Sequence, residues 1–206
     1  MWAPEQVQVK NLTDGHNTPT GFTGERLVWL QIKVKDATGK TVFLSGDSDP
    51  NGDVRDNESS FVHAGQMPLD RQLFSLQSRF LVQNVRGGER ERTVTIPYST
   101  TSLPFLRPTR LSLILTGEST VERNHRKGIE TGGHRWAQYN VDASKLTGKG
   151  PYTASIELMA QMFPINLIST IQVVGFDYGI SPRAAADAVV AGREVLVKRS
   201  LTFNVK

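Results

Sequence analysis

The residues of this chain best suited to chemistry are a cluster of carboxylates and four scattered histidines. The stretch DSDPNGDVRDNE, residues 47–58, reads as a twelve-residue loop. It has Asp at positions one and three, Asn at five, Gly at six, Val at eight and Glu at twelve. That is the ligand order of an EF-hand calcium loop. Asp47, Asp49, Asp53, Asp56 and Glu58 have only Arg55 as a local counter-charge. A hard divalent cation would relieve their repulsion through oxygen coordination. Gly52 permits the sharp turn such a loop needs. Asp47, Asp49, Asn51, Asp53 and Glu58 are therefore the candidate ligands, and an oxygen-only set favours calcium over zinc. The same residue types also build ordinary polar turns, and Pro50 at position four is awkward for EF-hand geometry. TVFLSG before the loop and SSFVHAG after it both read as β. A calcium ion here would thus clip a loop between strands rather than open a pair of helices.

Each histidine has a bland reading and a sharper one. His16 sits in NLTDGHNTPTGF, a Gly-His turn followed by Pro-Thr-Gly. Turn histidines commonly bond local backbone; the sharper role is a metal or haem-iron ligand. His63, in SSFVHAGQ, is a second ligand candidate. His125 lies among Arg123, Arg126 and Lys127. That cluster reads as a solvated basic loop, or as a docking patch for an acidic partner or haem propionates. His134, in GGHRW, reads as a structural residue opening a strand.

Composition narrows the chemistry further. The chain has 206 residues and no cysteine, which removes disulfides, thiolate zinc sites, iron–sulfur clusters, cysteine nucleophiles and any CxxCH haem attachment within it. A formal charge of +4 is too mild and too scattered to argue for nucleic acid. No apolar run approaches the ~20 residues that cross a bilayer. Met1 and Trp2 are followed by polar sequence, so no signal peptide is expected at this start. There is no G-x-S-x-G elbow, no phosphate loop and no H-E-x-x-H. RGGERER, residues 86–92, reads as a charged hairpin tip rather than an RNA contact.

The elements that must position these residues are mostly strands. RLVWLQIKVK (26–35) puts Val28, Leu30, Ile32 and Val34 on one face and Trp29 on the other. DATGK then leads into TVFLS (41–45) as a hairpin. Further strands are expected at 6–12, 73–85, 92–98, 110–117, 134–141, 152–163 and 194–205. SPRAAADAVVAG (181–192) carries helix signals: Ser181 as N-cap, Pro182 at the first position and Gly192 as stop. PINLISTI (164–171) is helix or strand. The connection 117–133 is expected to be a mobile loop. The expected fold is a single all-β domain over 1–206. It is an antiparallel β-sandwich, immunoglobulin-like or jelly-roll-like, with one or two short helices near the C-terminus. Trp29 is expected to pack inside rather than stand exposed.

One set of spaced residues resembles a known family. Gly15, His16, Pro19, Thr20, Gly21, Arg26, Trp29, Asp36, Gly39, Lys40, Ser45, Gly46, Gly52 and Asp53 follow its pattern. That pattern is a GH-x-x-PTG turn, an Arg and a Trp, a D-x-x-G-K hairpin, then a Ser-Gly leading into an acidic loop. It is similar to the β-rich domain at the C-terminal side of bacterial multihaem c-type cytochromes. The close match covers residues 7–53; SRFLVQNV, IPYSTTSLP and QYNVDA follow more loosely. The resemblance implies a periplasmic or cell-surface protein of electron transfer, whose partner is a multihaem cytochrome c polypeptide holding haem c. The departure is the missing CxxCH. The chain is therefore read either as part of a longer cytochrome or as a subunit that docks onto one. In both cases it is non-catalytic, with His16 as the leading distal-ligand candidate and Asp14 as its nearby second partner. The alternative reading is a calcium-stabilised extracellular adhesion or carbohydrate-binding module, which would show an exposed aromatic platform. A hydrolase with a site assembled in space is the third reading.

Overall fold

The computed structural model describes residues 6–20, 26–84, 92–96, 122–125, 127–147, 150–172 and 179–205. The described residues hold nine strands, all antiparallel, in an all-β, sandwich-like fold. The largest sheet has four strands in the order β3 (Thr41–Ser45), β2 (Leu27–Lys35), β8 (Tyr152–Gln161) and β9 (Glu194–Phe203). β1 (Gln6–Lys10) pairs with β7 (His134–Gln138). β4 (Arg79–Asn84) lies between β5 (Arg92–Ile96) and β6 (Glu122–His125). The strand expected over 110–117 lies outside the described residues. No described helix is long and apolar enough to cross a membrane.

β2 is central because both its faces are apolar where they need to be. Val28, Leu30, Ile32 and Val34 enter one core with Val9 of β1, Ala137 of β7, Ile129, Tyr139, Tyr152, Ala154 and Phe203. The β1–β7 pair thereby covers one face of the four-stranded sheet. Leu27 and Trp29 point to the opposite face and pack with Val54, Leu73 and Met159. Trp29 is buried as the alternation demands, and its Nε1–H donates to the Gly46 carbonyl at 2.9 Å. The bond matters because an indole N–H buried without a partner is costly.

The edge of β2 is shared by two segments. β3 pairs only with its second half, Ile32 to Lys35. Beside the first half runs the 74–76 stretch, through Leu30 N–H to Phe74 O at 3.0 Å and Leu76 N–H to Val28 O at 2.8 Å. The expected strand over 73–85 is thus a strand only from residue 79, preceded by this short irregular pairing. Residues 46–73, including the acidic loop, form an excursion from that edge. Gly46 starts it with φ of 79°, and a Cβ there would lie 2.1 Å from the Leu30 carbonyl oxygen. At the other edge, β9 is exposed from Glu194 to Thr202.

Three α-helices interrupt the strands among the described residues. α3 (Pro182–Ala191) is bounded as its sequence signals require, with the Ser181 hydroxyl accepting from Ala184 N–H. α2 (Ile165–Ile171) packs on it through Ile165, Ile168 and Ala186. α1 (Ser60–His63) corrects the reading of SSFVHAG as β. The Ser59 hydroxyl accepts from Val62 N–H and caps a single helical turn instead. The connection expected to be one long loop contains β6, and Ile129 within it is fully buried.

Gly46→Ala is expected to lower unfolding free energy by more than about 2 kcal/mol, through the clash and the positive φ together. Urea denaturation measures this; a change under about 0.5 kcal/mol would mean the corner relaxes freely.

Candidate functional site

The turn carrying His16 is built around Asn11. This residue follows β1 and is buried, yet its amide has four polar contacts. Nδ2 donates to the His16 carbonyl at 2.7 Å and to the Ile129 carbonyl at 3.1 Å. Oδ1 accepts from Thr13 N–H at 3.0 Å and lies 2.8 Å from the Thr13 hydroxyl. That hydroxyl is also 2.8 Å from the His16 carbonyl, and its one proton serves one of the two acceptors at a time. Thr18 and Ile129 exchange both backbone bonds, at 2.8 and 2.7 Å. The backbone of His16 is therefore fixed from inside while its side chain is exposed. Asp14 is exposed, and among the described residues no hydrogen bond joins it to His16.

His16 lines an open cleft of about 520 Å³, within the usual range for ligand pockets. Its floor and walls include Arg26, Val28, Met162, Glu194 and Leu196. Met162 is 66 % exposed and Leu196 47 %; Leu12, in the same turn as His16, is 82 % exposed. The result is an imidazole, a guanidinium and a carboxylate on a largely apolar surface facing solvent. His63, the last residue of α1, is exposed and does not line this cleft. Arg123 and His125 fall on β6, opposite Leu81 and Arg79 of β4. Lys127 is half-buried, and Arg126 lies outside the described residues. His134 opens β7 and meets Trp136 edge-on at 6.1 Å. Among the residues whose side chains are described, Trp136 is the one exposed Phe, Tyr or Trp.

The acidic loop folds around its own carboxylates. Asp49 is buried, and its Oδ1 accepts from the backbone N–H groups of Asn51, Gly52 and Asp53 at 2.8–3.0 Å. Its Oδ2 accepts from the Ser59 hydroxyl at 2.6 Å. Asp47 is paired with Arg55 at 2.6 Å. Asn51 Nδ2 donates to Ser60 Oγ at 3.0 Å. Asp56 Oδ1 accepts from Glu58 N–H at 2.9 Å. Asp53 turns away to α2 and accepts from Asn166 N–H at 3.0 Å, supplying the cap that Pro164 lacks. Among the described residues no three His or acidic side chains converge as a metal site. In this arrangement Asp47 is engaged by Arg55, and Asp49 by three backbone amides and a hydroxyl. The same Asp, Asn and Gly residues build the Asx turns of this loop.

Burial raises the Asp53 carboxyl to about 7, with Asp49 nearby adding to the rise and the Asn166 amide opposing it. Burial likewise pushes the Arg193 guanidinium down, opposed by Asp53 and Asp49. Sequence reasoning missed Asn11 and Arg193. The Asn-x-Thr spacing at 11–13 was a legible turn signal, but Arg193 carried none.

Since the folded Asp53 holds its proton to higher pH than the unfolded chain, folding takes up a proton between about pH 4 and 7. Stability from this group therefore falls as pH rises through that window and is level above it. Asp53→Asn keeps an acceptor for Asn166 N–H and removes the titration. The melting temperature of Asp53→Asn relative to wild type is expected to rise between pH 5 and 8; a pH-independent difference would contradict the burial argument.

Compared with known proteins, the chain matches no family model, no curated protein and no solved structure.

Proposed function

We propose that this chain is a non-catalytic β-sandwich element of periplasmic or cell-surface electron transfer. It docks on a multihaem c-type cytochrome polypeptide and offers His16 as a distal ligand to a haem held there. The observation that carries this reading is the presentation of His16. Its main chain is locked by Asn11 and by the Thr18–Ile129 pairing, and its side chain is exposed in an open, largely apolar cleft. An imidazole lent to another polypeptide requires that exposure, because the iron must approach from outside.

The chain's other groups suit the same use. Met162, Leu196 and Leu12 supply exposed apolar contact for a porphyrin edge or its surrounding protein. Arg26, in the same cleft, is placed to pair with a carboxylate such as a haem propionate. Haem iron supplies the electron-carrying chemistry; this chain, lacking cysteine, contributes a ligand, a surface and spacing. His63 on α1 and Arg123 and His125 on β6 lie on other elements and are not needed for this contact.

The test uses a ferric c-type haem peptide with one open axial position. Wild type is expected to convert its spectrum toward the low-spin form, His63→Ala to do the same, and His16→Ala to lose the change. Equal spectra for wild type and His16→Ala would reject His16 as the ligand.

A further inference from the structure

Arg193 joins two regions that the sequence keeps far apart. It follows Gly192 and precedes β9, and its guanidinium carbon lies 5.4 Å from the centre of the Trp29 ring. Nη1 donates to Ser48 Oγ at 2.8 Å, and Nη2 donates to the Gly52 carbonyl. Both acceptors belong to the acidic loop. Nε donates in the other direction, to Gln161 Oε1 at 2.5 Å. Gln161 is buried at the end of β8, and its Nε2 donates to the Phe163 carbonyl at 2.6 Å.

Those contacts surround one wall of the His16 cleft. Gln161, Met162, Gly192 and Glu194 all line it. Met162 sits between the two residues that the Gln161 amide ties together, and Gly192 and Glu194 flank Arg193 itself. One planar fork therefore holds the loop and the wall at the same time. Lysine would keep the charge but has no fixed fork to reach three acceptors.

We propose that Arg193 is a positioning residue for the cleft. It braces the 161–162 and 192–194 walls against the acidic loop, so that the fold of residues 48–53 sets the shape the cleft presents to its partner. This rests on the reading of the cleft as the haem-docking site. The acidic loop then acts as a structural brace whose state is felt at the docking surface. Asp49 is part of the same device, since it fixes the turn whose Gly52 carbonyl Arg193 grips.

The test has two arms. In the first, the methyl signals of the four methionines are assigned by NMR in wild type, Arg193→Lys and Ser48→Ala. Ser48→Ala removes one contact and leaves the guanidinium in place, so it reports even where Arg193→Lys does not fold. The Met162 methyl is expected to move in both variants. In the second arm, each folded variant is titrated with the ferric c-type haem peptide. Affinity is expected to fall about tenfold for Arg193→Lys. Folded variants with the Met162 signal and the affinity both unchanged would overturn the brace. Should the peptide fail to bind wild type, the docking reading fails, and the Met162 signal alone still decides: movement supports the brace and no movement refutes it.

Discussion

The side-chain amide of Asn11 is the interaction on which the candidate site depends. It is a buried polar group, and such groups are tolerated only when their hydrogen-bonding capacity is used. Here both ends of the amide are occupied, and one of its protons goes to the carbonyl of His16. The other reaches the carbonyl of Ile129, 118 residues away. The first turn is thereby fastened to the strand region beside it rather than left as a surface loop. Without that fastening, His16 would be one more histidine on a polar turn. With it, the imidazole has a defined origin and an open approach.

A second constraint comes from β2. Its first half is apolar on both faces, so it must be covered on both sides. Val28 and Leu30 face the β1–β7 layer, while Leu27 and Trp29 face the acidic-loop excursion. This makes the excursion a structural layer. Its carboxylates serve that role by accepting backbone amides, a hydroxyl and a helix N-terminus, and Arg193 closes the layer over Trp29. The cleft and the acidic loop lie on either side of the same strand ends, which is why a single guanidinium can touch both.

Much of this was legible where a local rule decides the outcome. The alternation of RLVWLQIKVK placed Trp29 opposite Val28 and Leu30, and Ser181, Pro182 and Gly192 marked the ends of α3. Local rules failed where distant partners decide. SSFVHAG alternates like a strand, yet Ser59, held by Asp49, caps a helical turn. PINLISTI was ambiguous by period, and the Asp53 carboxylate arriving from the acidic loop favours the helix. The EF-hand spacing of residues 47–58 was legible as a pattern, while the partners of its oxygens, Arg55 for Asp47 and the Ser59 hydroxyl for Asp49, came only from the fold. The partners of Arg193 lie 32, 145 and 141 residues away in sequence, so no window along the chain could have found them. His16 was singled out by a motif resemblance, and its exposure came only from the structure.

His16 is proposed to be held ready for an iron centre on another polypeptide. The most direct measurement is the NMR spectrum of the chain with ¹⁵N-labelled histidine rings, before and after addition of a ferric c-type haem polypeptide with an open axial site. The account predicts that the ring nitrogens of His16 alone move far outside the diamagnetic range, while those of His63 and His134 stay in place. His16 signals that remain unshifted, with the haem polypeptide in excess, would contradict it.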